Sequence, residues 1–307
     1  MAEFAASALP DTQSWCVALS GGPDSLALTA AATATLPTTA LIVDHGLQPG
    51  SAAVAQTALE QALEMGCIAA QVLTVGVGVE GGPEAAARAA RYSALDAARG
   101  NAPVLLAHTL DDQAETVLLG LGRGSGPRSI AGMRPCDPPW YRPLLGTRRS
   151  RTHAACMELG LPAWDDPHNH DRRFTRARLR HEVLPLLEDV LGGGVAEALA
   201  RTAVALREDT DALDSLARED LASAGTEGAL TIAAIGHLPT ALRRRVIREW
   251  LLAGGATGLT DVQLRGVDAL ITAWRGQGGV AVGSARANTR LFTERHGGTL
   301  ALRFEPV

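Results

Sequence analysis

The chain has 307 residues, 33 of them acidic and 28 basic, all of these arginine, for a net charge of −5. That length suits two domains, each able to bury a core. No stretch approaches the roughly 20 apolar residues of a membrane helix, and the N-terminus lacks the basic start of a secretory signal. Four scattered cysteines without a CxxC pair speak against a zinc ribbon or an iron–sulfur site and fit a reducing, cytoplasmic setting.

The charge is unevenly spread. Residues 1–122 carry 3 arginines against 12 acids, residues 123–180 carry 12 against 5, and the remainder 13 against 16. A basic centre inside an acidic chain predicts a polyanion footprint, although arginines solvating an exposed face would give the same count.

In chain order, Trp15–Leu19 reads as a buried strand that stops at Ser20-Gly21-Gly22-Pro23-Asp24-Ser25, after which a helix begins, with Asp24 as its expected N-cap. Strand, glycine turn and helix N-terminus together make an anion site. Residues 38–43 form a second strand, ending in Asp44 and His45. Ser51 is expected to cap a helix through Met65, closed by Gly66. A third strand covers 69–75, a glycine-rich loop 76–82, and a helix entered through Pro83 runs to about Arg99. Val104–Ala107 is a fourth strand, and the helix after it turns Ala114, Val117, Leu118 and Leu121 inward. Residues 120–134 read as a mobile glycine-arginine loop. Further helices are expected at 148–159 and 174–187, with the loop WDDPHNHDRR between them.

These alternating elements predict an α/β fold: a Rossmann-like parallel sheet with helices on both faces, over residues 1–190. Residues 191–307 form a smaller, mostly helical α+β domain, entered through a helix near 195–224. Helices follow near 238–253 and 261–274, then an antiparallel meander over 280–304.

Three polar clusters, at 20–25, 44–48 and 108–115, follow predicted strands, and ligands of parallel sheets bind beyond the strands' carboxyl ends. The first is neither a Walker A loop, which needs a lysine, nor GxGxxG. Asp44 is a candidate Mg2+ ligand or an Asx-turn. Asp112 and Glu115 share a helix face and could clamp an ammonium group, or could simply form a capping box. Arg91 could stabilise a transferring phosphoryl group, and His108 could move a proton or touch a phosphate. The Arg123–Arg134 loop, including Arg123, and the Arg172–Arg180 helix start are candidates for RNA phosphates.

SGGPDS at 20–25 resembles the PP-loop of the ATP pyrophosphatases. With VDHGLQPGS at 43–51, ARAARYSAL at 87–95, AHTLDDQAETVLLGLGRGSGPRSIAGM at 107–133, RPLL at 142–145 and DDPHNHDRRFTRARLRHEVLPLL at 165–187, the chain resembles the tRNA(Ile)-lysidine synthetases over about residues 15–190. The resemblance implies adenylation by ATP of C2 of the wobble cytidine in a CAU-anticodon tRNA(Ile), and displacement of AMP by the ε-amine of free lysine. It implies that Ser20, Gly21, Gly22, Pro23, Asp24 and Ser25 bind the pyrophosphate of ATP. Asp44 (with Mg2+), Arg91 and His108 would serve adenylation, and Asp112 and Glu115 would hold lysine. Arg123, Arg176, Arg178 and Arg180 would face tRNA, with the C-terminal domain as a second tRNA-binding part. A homodimer is an open expectation, and no membrane is involved. Two positions depart from the family: Gln48, where arginine is frequent, and Ala177, where asparagine commonly follows the FTR arginine. A tRNA thiolase of the same superfamily would want a CxxC pair. A non-enzymatic nucleotide-binding module would explain the phosphate loop but not the basic centre.

Overall fold

The computed structural model describes the chain except residues 47, 49, 77, 79–82, 125 and 227, so most of the expected 76–82 loop lies outside the described residues. Two compact units divide at Val204/Ala205.

The first unit is built on a six-stranded sheet in the order β3-β2-β1-β4-β6-β5. Its strands are β1 (Trp15–Ala18), β2 (Thr38–Asp44), β3 (Ala69–Thr74), β4 (Val104–Leu105), β5 (Cys136–Asp137) and β6 (Trp140–Tyr141). All neighbours are parallel except β5 with β6. Side chains alternate across the sheet as the period of two demands. Trp15, Val17, Ala40, Ile42 and Leu105 enter one buried cluster, and Cys16, Leu41 and Val104 the other. Burial on both faces is why the strands read as continuous apolar runs.

The helices of this unit are α1 (Ala2–Ala8), α2 (Pro23–Thr33), α3 (Ser51–Glu64), α4 (Pro83–Ala98), α5 (Leu110–Gly122), α6 (Pro127–Ile130), α7 (Arg149–Glu158), α8 (Thr175–Arg178) and α9 (Leu184–Leu191). A π turn, Leu179–Val183, joins α8 to α9 just ahead of Pro185. Proline cannot donate to the carbonyl four residues back and its ring crowds that carbonyl, so the wider turn lets the helix continue.

Several local expectations are corrected. Asp24 is not the N-cap of α2: Gly22 is, because Pro23 takes the first helical position and shifts Asp24 into the first turn. Gly50, left-handed at φ 84°, caps α3 instead of Ser51. Leu121 is 59% exposed, since α5 ends there and its buried stripe is carried by Leu110, Ala114 and Val117. The 120–134 segment contains α6 and is anchored. Gln113 both donates to Met133 O (3.0 Å) and accepts from its N–H (2.8 Å), and a Cβ on Gly120 would run into the Ser129 carbonyl.

The division between units falls within α10 (Val195–Ala224). The second unit carries an antiparallel sheet in the order β7-β8-β12-β11-β10-β9. The expected meander is β10 (Val280–Ser284), β11 (Thr289–His296) and β12 (Thr299–Pro306), extended by the short β7 (Gly225–Thr226), β8 (Ala229–Thr231) and β9 (Ala256–Thr257). With α11 (Ile232–Ile235), α12 (Thr240–Ala253) and α13 (Asp261–Thr272), it buries Leu230, Ile247, Leu251, Leu270, Leu291 and Leu300 in one core. Among the described residues no helix is long and apolar enough to cross a membrane.

Candidate active site

The order 3-2-1-4 changes direction between β1 and β4, so the segments leaving these two strands splay apart at their carboxyl ends. The segment after β1 is the phosphate loop. Gly21 is left-handed (φ 81°), a conformation that a side chain would strain, and its carbonyl accepts from Trp164 N–H at 2.9 Å. Ser25 closes the turn: its hydroxyl donates to Gly22 O (2.9 Å), accepts from Ser20 N–H (3.2 Å) and meets Ser20 Oγ at 3.1 Å. The first-turn N–H groups of α2 have no intrahelical acceptor and are available to an anion. Pro23 has no N–H to offer; it fixes the helix start.

After β4, Thr109 caps α5. Its side chain accepts from Asp112 N–H, and Asp112 Oδ2 accepts from Thr109 N–H at 2.8 Å. The capping box is therefore Thr109–Asp112, not Asp112–Glu115, because the helix starts three residues earlier than the alternative required. Glu115 is left out of the cap and is fully buried. Asp112 Oδ1 is free of the cap as well.

What occupies these oxygens was not foreseen. Arg149, at the start of α7, reaches Asp112 Oδ1 (Nη2, 2.6 Å), Glu115 Oε1 (Nη1, 3.5 Å) and Asp24 Oδ2 (Nε, 3.3 Å). Arg180, on the π turn, reaches Glu115 Oε1 (Nε, 2.8 Å) and Asp112 Oδ1 (Nη2, 3.3 Å). Three carboxylates thus face two guanidinium groups. Burial acts to raise the Asp112 carboxyl, but Arg149 and the Thr109 N–H and hydroxyl outweigh it and hold it below the usual range. Burial dominates at Asp24 and raises it despite the Thr152 hydroxyl and Arg149. Burial works against the Arg149 charge, yet Asp112, Glu115 and Asp24 raise its pKa further.

Arg180 also forms part of the wall of a cavity of about 560 Å3, lined by His45, Arg88, Arg91, His108, His168, Asn169, Phe174 and Arg176 among others. His45 Nδ1, Arg91 Nε and His108 Nδ1 are buried and without a protein partner among the described residues. Unsatisfied buried polar atoms are costly, and three around one cavity point to a ligand that satisfies them. Burial, reinforced by Arg91, Arg142 and Arg88 against the pull of Asp112, pushes His108 down to about 3. His108 is therefore neutral near pH 7, one ring nitrogen donating and the other accepting.

The remaining candidates fall in different places. Asp44 ends β2 in an Asx-turn, accepting from Gly46 N–H at 3.0 Å; that bond, followed by the Ser51 hydroxyl, holds its carboxyl below the usual range. Gln48, the departure from the family pattern, donates to Asp166 Oδ1 (2.8 Å) and meets His168 Nδ1 (2.9 Å), tying the 164–173 loop to the end of β2. Ala177 is buried in the cavity wall. Arg178 pairs with Glu182 at 3.2 Å on the surface. Arg123 is exposed at the C-terminus of α5 and does not line the cavity. Much of the basic centre is neutralised from outside itself: Arg148 by Asp111, Glu188 and Glu197, Arg172 and Arg178 by Glu182. Arg149, His45, His168 and Asn169 were missed as individual site residues. For the last two, the WDDPHNHDRR loop was the available signal.

Residues 1–187 match the PP-loop domain family and residues 230–295 the TilS substrate binding domain family. A tRNA(Ile)-lysidine synthase of Mycobacterium tuberculosis (strain ATCC 25618 / H37Rv) is 70% identical, with 99% of this chain and 95% of that protein covered. One from Mycobacterium leprae is 66% identical with the same coverage. Among solved structures, the U34-tRNA thiolase NcsA from Methanococcus maripaludis superposes with a TM-score of 0.52 at 17% identity, over 64% of this chain and 72% of that one; it shares the fold. All four cysteines here are free, and three are buried. With identity of this size over nearly the whole length, the chain belongs to the tRNA(Ile)-lysidine synthase family.

Proposed function

We propose that this chain is a cytoplasmic ATP-dependent ligase that converts the wobble cytidine of a CAU-anticodon tRNA(Ile) to lysidine, changing decoding from AUG to AUA. The observation that carries the reading is the acid cluster: Asp24 of the phosphate loop, with Asp112 and Glu115 of α5, sets three carboxylates against the two guanidinium groups of Arg149 and Arg180, and Arg180 is part of the cavity wall. Such a place favours a substrate that is a cation and reacts beside a phosphate.

In this reading ATP lies with its β- and γ-phosphates on Ser20–Ser25. The cytidine O2 attacks the α-phosphorus, the bond to the β-phosphate oxygen breaks, and pyrophosphate leaves. A ring oxygen that was a poor leaving group becomes a good one. The lysine ε-amine, having lost a proton, attacks C2, and AMP departs with the former O2. Arg91 offers charge to the phosphoryl group, while neutral His108 offers a hydrogen bond. Asp112 and Glu115 orient the amine, which supplies the proximity a two-step transfer needs. Mg2+ commonly takes one or two carboxylates together with substrate phosphates. Asp44, with one oxygen in the Asx-turn and the other outside it, fits as a single protein ligand that would help neutralise those phosphates. Arg176 and Arg180 reach the reacting base from the cavity side, and Arg123, Arg178 and the second unit extend the tRNA contact. A homodimer is compatible with this reading.

The test is incubation of the protein with a CAU-anticodon tRNA(Ile) transcript, ATP and lysine, followed by nucleoside mass analysis. Lysidine should form with one AMP and one pyrophosphate per modification. ADP and phosphate as stoichiometric products, or ATP turnover independent of tRNA and lysine, would overturn the proposal.

A further inference from the structure

The mechanism above uses two binding places, the phosphate loop and the lysine clamp, and a single side chain touches an acidic group of each. Arg149 donates from Nε to Asp24 in the first turn of α2, and from its two terminal nitrogens to Glu115 and Asp112 on α5. Among the described residues Arg180 holds Asp112 and Glu115 and also meets Asn169, with no bond to Asp24. Arg149 is also held in place from below. Its own N–H donates to Asp111 Oδ2 at 2.7 Å, and one turn later the Thr152 hydroxyl donates to the other Asp24 oxygen. The first turn of α7 is therefore fastened to both α2 and α5, and the Arg149 side chain, 16% exposed, spans the gap between them.

We propose that Arg149 is a positioning residue that couples ATP and lysine binding, acting as one counter-ion shared between the two places. The inference rests on the lysine reading of the Asp112–Glu115 clamp. Its physics is a competition for charge. Without nucleotide, the guanidinium divides its attraction among three carboxylates and partly neutralises the clamp. A polyphosphate on the loop brings several negative charges up beside Asp24 and draws the guanidinium towards that end. Its hold on Asp112 and Glu115 weakens, the clamp becomes more negative, and an ammonium group binds there more tightly. Linkage requires the converse: lysine, by taking over the clamp, releases Arg149 to the phosphates and tightens ATP by the same factor. The enzyme would thereby favour the ternary state in which both reactants are present. A planar fork that donates in several directions suits this role; a lysine at 149 would be a point charge on a flexible stem.

The experiment is calorimetric titration of the full chain, without tRNA, by lysine in the presence and absence of α,β-methylene-ATP and Mg2+, and by the analogue with and without lysine. The analogue blocks cleavage between the α- and β-phosphates. In the unaltered protein each ligand should tighten the other about tenfold, within the roughly 5–150-fold range of allosteric couplings. In Arg149→Met the ratio should fall to about one. In Arg149→Lys, which keeps the charge and serves where the methionine variant does not fold, it should fall to about threefold. A residue that merely held helices together would lower the melting temperature and leave the ratio alone. A ratio of one in the unaltered protein, or a tenfold ratio that survives in both variants, would overturn the coupling while leaving the lysine clamp standing. Failure of lysine to bind in either nucleotide state would overturn the clamp reading and this inference with it.

Discussion

Each unit contains a buried ion cluster, and they are built to opposite ends. In the second unit Asp268, on α13, accepts from Arg243 Nε (2.6 Å) and Arg244 Nε (3.0 Å) on α12. Arg243 donates from Nη1 to Leu238 O and from Nη2 to Thr240 Oγ1 and the second Asp268 oxygen, so the group closes on itself. In the first unit three carboxylates meet two guanidinium groups, and one of the two, Arg180, is also part of a cavity wall. Burial and pairing are common to both. Neither cluster is balanced, but the second unit's carries a surplus of positive charge and the first unit's a surplus of negative charge; what separates a candidate site from a structural clasp here is that negative surplus together with an opening and nearby polar atoms left without partners.

Removing one anion from each cluster should therefore have different consequences. Asp268→Ala strands two guanidinium groups, one of them almost fully buried, and should cost about 3–5 kcal/mol of folding stability, read as a lower midpoint in denaturant. Full stability in that variant would break the comparison at its structural end.

Glu115→Gln should behave in the reverse way. Asp112 still holds both arginines, and the cluster moves from a surplus of one negative charge to balance, so stability should change by less than ~1 kcal/mol. The lysine KM should rise about 100-fold, from loss of one partner of a charge pair worth about 2–5 kcal/mol. Formation of adenylated tRNA from ATP should persist. Since Glu115 is no part of the cap, an early melting transition with normal lysine dependence would mean that lysine binds elsewhere.

This difference between the clusters could not be read from the chain. The phosphate loop, the strand–helix alternation and the long α10 were legible because they rest on local signals: a glycine turn after an apolar run, periodicity, and helix punctuation. Asp112 and Glu115 were legible as a pair by their spacing, but their partners were not. Arg149 lies 125 residues from Asp24 and 34 from Glu115 in sequence, and nothing around it distinguishes it from its neighbours Arg148 and Arg151. The cap assignments failed by one to three positions, because Pro23 and Thr109 compete for helix starts that the Asp-Ser and Asp-Asp pairs also suit. The pairing of the basic centre was illegible for a related reason. Charge summed along 123–180 ignores Asp111, Glu182, Glu188 and Glu197, which the fold brings to it.

His108 gives a smaller effect, visible in pH rather than by deletion alone. Its folded pKa of about 3 lies below the ordinary 6.5, so the unfolded chain takes up a proton as pH falls through 6.5 while the folded chain does not. Stability from this residue is complete above about pH 6.5 and is lost on acidification, at ~1.4 kcal/mol per pH unit, until pH approaches 3. Between pH 6.5 and 5 the unaltered protein should thus lose roughly 2 kcal/mol more than His108→Gln does. Parallel stability–pH curves would show that the imidazole is not held neutral by burial. The activity profile should carry no limb from this residue between pH 5 and 8.

The smallest effect concerns the RNA and asks which unit carries the phosphate contacts. Each phosphate neutralised adds about 0.7 to 0.9 to the slope of log affinity against log salt. Arg176 lines the cavity where the reacting base would sit, and Arg178 pairs at the surface with Glu182, which competes with a phosphate for it. Arg176→Ala should therefore reduce the slope by about one phosphate contact, and Arg178→Ala by less. The pair should lie between one contact and two. In the second unit Arg303 is held between Glu294 and Glu305, and Arg286 lies over the Phe304 ring at 3.8 Å. Arg303→Ala should hardly move the slope, because its charge is spent within the unit, whereas Arg286→Ala removes a cation set against an aromatic face that carries no charge of its own. A slope that ignores Arg176 and answers to Arg286 would place the electrostatic footprint on the second unit. The arginines of the first unit would then belong to the reacting base and the lysine clamp rather than to the tRNA backbone.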